Sequence, residues 1–141
     1  MAAKQKAKLD RAKAQEAFAG LRKILVRHSA DFRVKFDTPG HYGIESREAL
    51  WNRKPLFFAS VQIKKTYVSF HLLPLYACPD LKTGLSAELT KRIHGTACLN
   101  FKEPDAKLFA EVNQLAKAAL AVWKSGEFLR RLSDRSTRFK S

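Results

Sequence analysis

Acidic residues are scarce in this chain. Its 141 residues carry 13 Asp and Glu against 27 Lys and Arg, a formal net charge of +14. Hard-metal sites draw on clustered carboxylates, and no such cluster is present. Cysteine is scarcer still. Cys78 and Cys98 are too few for a disulfide framework and read as small side chains in a reducing compartment. No run of about 18 apolar residues occurs, so no membrane span is expected. The N-terminus is Lys-rich without an apolar stretch behind it, unlike a secretory signal, and poor in Arg and Ser, unlike a transit peptide. The six glycines are scattered and form neither a dinucleotide fingerprint nor a P-loop. No C-x-x-C or H-x-x-x-H pair offers the short-spaced ligands of a zinc site. His94 and Cys98 lie four apart, but across Gly95. Ser69 or Cys78 can be drawn as a dyad with His71, yet no nucleophile elbow accompanies them. The expectation is a cytoplasmic protein with no metal, no cofactor and no recognisable catalytic residue.

What is present argues for a packed fold. Hydrophobic residues make up 45% of the chain, with ten Phe among them, more than a disordered segment carries. The length suits one domain. The basic excess is gathered at the ends. Eight of the basic residues lie in the first 28 positions and six from Lys124 onward, with two acids in each segment. Residues 1–11 read as a basic arm, 12–132 as a single domain, and 133–141 as a basic tail. Such ends attract nucleic acid or another polyanion without reading sequence; they also suit a merely solubilising surface.

From about Ala12 a helical period sets in, with Phe18, Leu21, Ile24 and Leu25 on one stripe and His28 at its end. Phe32 to Phe36 alternates as a strand. A three-residue turn at Thr38-Pro39-Gly40 then pairs Phe36 with Tyr42, Val34 with Ile44 and Arg33 with Glu45, and Gly40 takes the left-handed position. The stretch from Pro55 to Tyr76 reads as a second hairpin turning at Lys64-Lys65. Setting Ile63 opposite Thr66 pairs Val61 with Val68, Ala59 with Phe70 and Phe57 with Leu72. One face is then apolar: Phe57, Ala59, Val61, Ile63, Val68, Phe70 and Leu72. The other carries Phe58, Ser60, Gln62, Tyr67, Ser69 and His71. Tyr76 to Gly84 looks irregular. Ser86 caps a short helix through Ile93, which Gly95 ends. Thr96 to Phe101 is a strand. Pro104 opens a last strong helix with Leu108, Val112, Leu115, Ala119 and Val122 inward. Glu127 to Leu132 adds one turn. The order α-β-β-β-β-α-β-α describes an α+β two-layer sandwich, an antiparallel sheet with helices on one face.

The blocks FFASVQIKKTYVSFHLLPLY (57–76), PDL (79–81), LSAELTKRIHGTACLNF (85–101) and DAKLFAEVNQL (105–115) carry a resemblance. With them the chain resembles the YdhG-like domains, a bacterial family of unknown function, from about Phe32 to Trp123. The resemblance implies a small fold built on an antiparallel sheet. Some relatives are described as frataxin-like intracellular iron chaperones, a role that goes with acidic surfaces, from which this basic chain departs. The expected contact surface is the open sheet face, with Arg33, Lys35, Gln62, Tyr67, Ser69 and His71 as candidate ligand-binding residues. Cations and hydrogen-bonding groups beside an aromatic ring suit an anionic or planar ligand. The expected function is a non-enzymatic binding module for a polyanion or a protein, with an iron-binding chaperone as the alternative.

Overall fold

In the computed structural model of this chain, residues 9–140 are described, with side chains to residue 134. Residues 1–8 of the expected arm lie outside that range. Leu9 packs against the core, and Asp10 caps helix α1, Arg11–Arg27, by accepting the Lys13 N–H at 3.1 Å. The expected stripe is buried, Phe18, Leu21, Ile24 and Leu25 together with Ala14 and Ala17. His28 is the C-cap. Its Nε2 lies 3.0 Å from Asn113 Oδ1, a hydrogen bond that ties this helix to the long helix near the C-terminus.

Six strands follow: β1 Phe32–Thr38, β2 His41–Ser46, β3 Phe57–Ile63, β4 Val68–Leu72, β5 Ile93–His94 and β6 Cys98–Phe101. They form one antiparallel sheet in the order β1-β2-β3-β4-β6-β5. A short helical turn, α2 Pro74–Ala77, begins within the end of the expected hairpin stretch, and a 3-10 turn, Pro79–Lys82, lies in the stretch expected to be irregular. Helix α3, Ala87–Thr90, precedes β5. Helix α4 spans Ala106–Lys124, and α5 spans Glu127–Lys140. The α+β sandwich is as expected. Helix α1 lies across β2, β3 and β4 and packs against α4. The two helices approach closely at Gly20, where an added Cβ would stand 3.0 Å from the Phe109 ring.

Several expected details differ. The second hairpin pairs Ile63 with Val68, Val61 with Phe70 and Ala59 with Leu72, a slide of two residues. Lys64-Lys65 lacks the Gly or Asn of a tight primed turn. The chain takes a four-residue loop instead, closed by the Lys64 N–H on the Tyr67 carbonyl at 2.8 Å. An even slide keeps every residue on its face, so Ala59, Val61, Val68, Phe70 and Leu72 are all fully buried.

Odd shifts matter more, and two β-bulges supply them. Ile44 pairs with Ala59 but Glu45 pairs with Phe57, so Phe58 is an extra residue in β3. The alternation resets there. Phe58, expected on the open face, is fully buried, its ring 4.5 Å from that of Phe32 and 5.0 Å from that of Trp123. Phe57, expected inside, turns out to the other face. In β1 the pairing jumps from Val34–Ile44 to Phe36–Gly43, so Phe36 meets Gly43 and not Tyr42. The turn is then Pro39-Gly40 alone, and Gly40 is not in the left-handed region.

Helix α3 is shorter than expected. Ser86 caps it, Oγ accepting the Leu89 N–H at 3.1 Å, but Ile93 leaves for β5 to pair with Leu99. Gly95, at φ +69°, turns β5 into β6. Asp105, not Pro104, starts α4, accepting the Leu108 N–H at 3.0 Å. Beyond Gly126 at φ +84° the chain does not stop after one turn. Helix α5 runs on through the expected tail, and its fully buried Phe128 stacks on Trp123 at 5.4 Å. Phe128, Leu56, Ala77 and Cys78 form a second small core.

Phe58→Ala is expected to lose about 3–5 kcal/mol in denaturant unfolding, the range for a buried Phe. Phe57→Ala should lose clearly less. Equal losses would contradict the bulge.

Candidate functional site

The helices gather on one side of the sheet, and the other side is built by cross-strand pairing into two rows. One row runs His41, Gln62, Ser69, Asn100 across β2, β3, β4 and β6. The second runs Phe36, Gly43, Ser60, His71, Cys98, His94 across all six strands. Paired residues share a face, as do residues two apart on a strand, so both rows look outward. Most of their side chains are half-buried by one another.

Aromatic contacts frame the rows. The Phe36 ring stacks on His41 with centroids 4.2 Å apart and planes 16° from parallel. It reaches there because residue 43 is glycine. A Cβ on Gly43 would stand 3.2 Å from Phe36 Cδ2 and 3.3 Å from Ser60 Cβ. Phe36 is exposed. At the other end Phe57 lies 4.9 Å from His71. Asn100 Oδ1 is buried and accepts no hydrogen bond, an orphan acceptor at the end of its row.

Charge enters from the sheet edge. Glu45 is buried on this face. Arg33 Nε donates to its Oε2 at 3.0 Å, Arg33 Nη2 donates to the same oxygen, and Lys35 Nζ lies 3.7 Å from Oε1. Lys35 Nζ also sits 5.5 Å from the Phe36 ring centroid, a cation–π distance. Burial, helped by the charge of Lys64, pushes His41 below its ordinary pKa. Burial does the same to His71. Both rings are therefore neutral at neutral pH.

Of the residues expected from sequence, Gln62, Ser69 and His71 come together. Arg33 and Lys35 are on the same face but grouped at Glu45 on the β1 edge. Tyr67 lies outside β4, in the hairpin loop. Phe36, His41, Phe57 and Asn100 were missed. The bulges hid Phe36 and Phe57, because regular alternation assigns them to the other face. His41 follows from the regular alternation of β2, with Tyr42 and Ile44 inward. Asn100 needs only the pairing of β6 with β4, which sequence does not reveal.

His94 and Cys98 are cross-strand partners, and His71 pairs with Cys98 from the other side. Among the described residues, however, no group of three or more His, Cys, Asp or Glu is placed to hold a metal ion. None of the described helices is long and apolar enough to cross a membrane. Comparisons with family models, with curated proteins and with solved structures found no match for this chain.

A histidine held below its ordinary pKa lends stability that is whole above about 6.5 and is lost as pH falls through the folded value, because the unfolded chain takes up the proton first. The melting temperature should therefore fall more steeply below pH 6.5 for the wild type than for His71→Gln. Parallel curves would show that His71 is not held neutral by its surroundings.

Proposed function

We propose that this chain is a non-catalytic binding module that holds single-stranded nucleic acid on the face of its sheet opposite the helices. The observation that carries the reading is the stacked Phe36–His41 pair, with Phe36 exposed on that face, beside a row of amide and hydroxyl side chains in a protein of net charge +14. Every base has a π-face, and stacking on an aromatic side chain contributes about 1–3 kcal/mol per base. Gln62 and Ser69 offer donors and acceptors to base edges. Arg33, Lys35 and Lys64 supply charge for the phosphates. A duplex, whose base faces are already stacked, cannot use this platform.

Kinship with the YdhG-like domains and a cytoplasmic setting belong to the same proposal. The residue blocks 57–76, 79–81, 85–101 and 105–115 support the first. Two free thiols, Cys78 and Cys98, are compatible with the second. The iron-chaperone role of some relatives asks for an acidic surface. The carboxylate on this face is Glu45, already ion-paired to Arg33 and Lys35.

Fluorescence anisotropy with a labelled single strand of roughly ten nucleotides, across a salt series, tests the reading. The strand should bind, more weakly as salt rises, and more tightly than a duplex of the same sequence. Phe36→Ala should weaken binding by about 1–3 kcal/mol and leave the salt slope alone. Equal affinity for duplex, or indifference to Phe36→Ala, would overturn it.

A further inference from the structure

Beside the Phe36–His41 pair, at the β1 edge, the sheet meets the connection between β2 and β3. A cavity of about 340 Å3 opens between them. Arg33, Val34 and Lys35 line it from β1, Glu45 from β2, and Lys54 with Pro55 from the connection. Its charge is lopsided, with three cations around one carboxylate.

Glu45 is only 4% exposed. A carboxylate so buried needs pairing, and Arg33 and Lys35 provide it. One negative charge thereby holds two positive ones in place. The Arg33 and Lys35 side chains keep 59% and 53% of their surface exposed, so each retains donors for a ligand. Lys54 makes no ion pair among the described residues, and it adds a third cation.

The backbone that brings Lys54 here is strained. Trp51 and Lys54 exchange backbone hydrogen bonds of 3.2 and 2.9 Å around Asn52 and Arg53, which stand at φ 50° and 64°. Two left-handed residues in succession make a primed turn, the usual place of Asn and Gly. Asn52 suits it; Arg53 does not, at a cost of about 1–2 kcal/mol. Strain of this kind collects where a side chain must be aimed, and the residue that this turn delivers to the cavity is Lys54.

We infer that the cavity is a phosphodiester subsite, in which Arg33, Lys35 and Lys54 hold one phosphate of the strand whose bases stack on Phe36 and His41. The inference rests on the function proposed above. Lys35 joins the two places, since its Nζ is near both Glu45 and the Phe36 ring. Arg33 supplies the planar fork that suits phosphate oxygens.

The test is the salt dependence of oligonucleotide binding, combined with a set of strands in which one phosphate at a time is a neutral methylphosphonate. Each phosphate neutralised by the protein adds about 0.7 to the slope of log K against log salt for a single strand. Lys54→Ala removes an exposed side chain and leaves the backbone turn intact. It should weaken binding to strands of every sequence alike and flatten the slope, by at most the roughly 0.7 that one phosphate contributes. One methylphosphonate position should weaken the wild type more than it weakens Lys54→Ala. If the wild type binds with its Phe36 dependence but Lys54→Ala keeps the wild-type slope and the wild-type methylphosphonate pattern, the cavity assignment is overturned and the functional reading stands. If the wild type binds no single strand, both fall together.

Discussion

The aromatic cluster of Phe32, Phe58, Trp123 and Phe128 is the contact on which the rest depends. It joins β1, β3, α4 and α5 through ring pairs at 4.5 to 5.6 Å. Such pairs contribute about 0.5–1.5 kcal/mol each beyond the area they bury. Phe58 can enter the cluster only if β3 breaks its alternation, because Ala59 beside it is also fully buried. The bulge at Phe58 is therefore a condition of the core. Phe128 enters from the other side and makes α5 part of the fold, with Arg131 holding that helix to Asp80 at 2.6 Å.

The same bulge acts on the opposite face. With Phe58 turned in, Phe57 is turned out, where its ring meets His71. The bulge in β1 does the like for Phe36, which lies across Gly43 onto His41. It also leaves Lys35 on the side of Glu45. The proposed binding face is thus a by-product of how the core is closed. Its aromatic side chains are those that a regular strand would have hidden or aimed elsewhere.

Much of the fold was legible in the residues. Phe18, Leu21, Ile24 and Leu25 marked α1, and Leu108, Val112, Leu115 and Ala119 marked α4, because a helix needs only its own period to show an apolar stripe. The inward set Ala59, Val61, Val68, Phe70 and Leu72 survived a wrong register, because a slide of two preserves parity. Ser86 as a cap was legible for the same local reason. The site was legible in part: Gln62, Ser69 and His71 follow from parity alone. His41 follows from parity too, alternating with Tyr42 and Ile44; Phe36 and Phe57 do not, because a bulge is decided by what two strands and the layer beneath them can pack, not by the strand itself.

By itself, then, the sequence determined the class of fold, the helix stripes, the apolar face of the central hairpin and the basic charge. All of these depend on residues near one another in the chain. The tertiary structure alone decided the two bulges, the gathering of Arg33, Lys35 and Lys54 around Glu45, the Asn100 end of the row and the continuation of α5. Each depends on pairing or burial between residues far apart in sequence, where packing across the core overrides the local pattern.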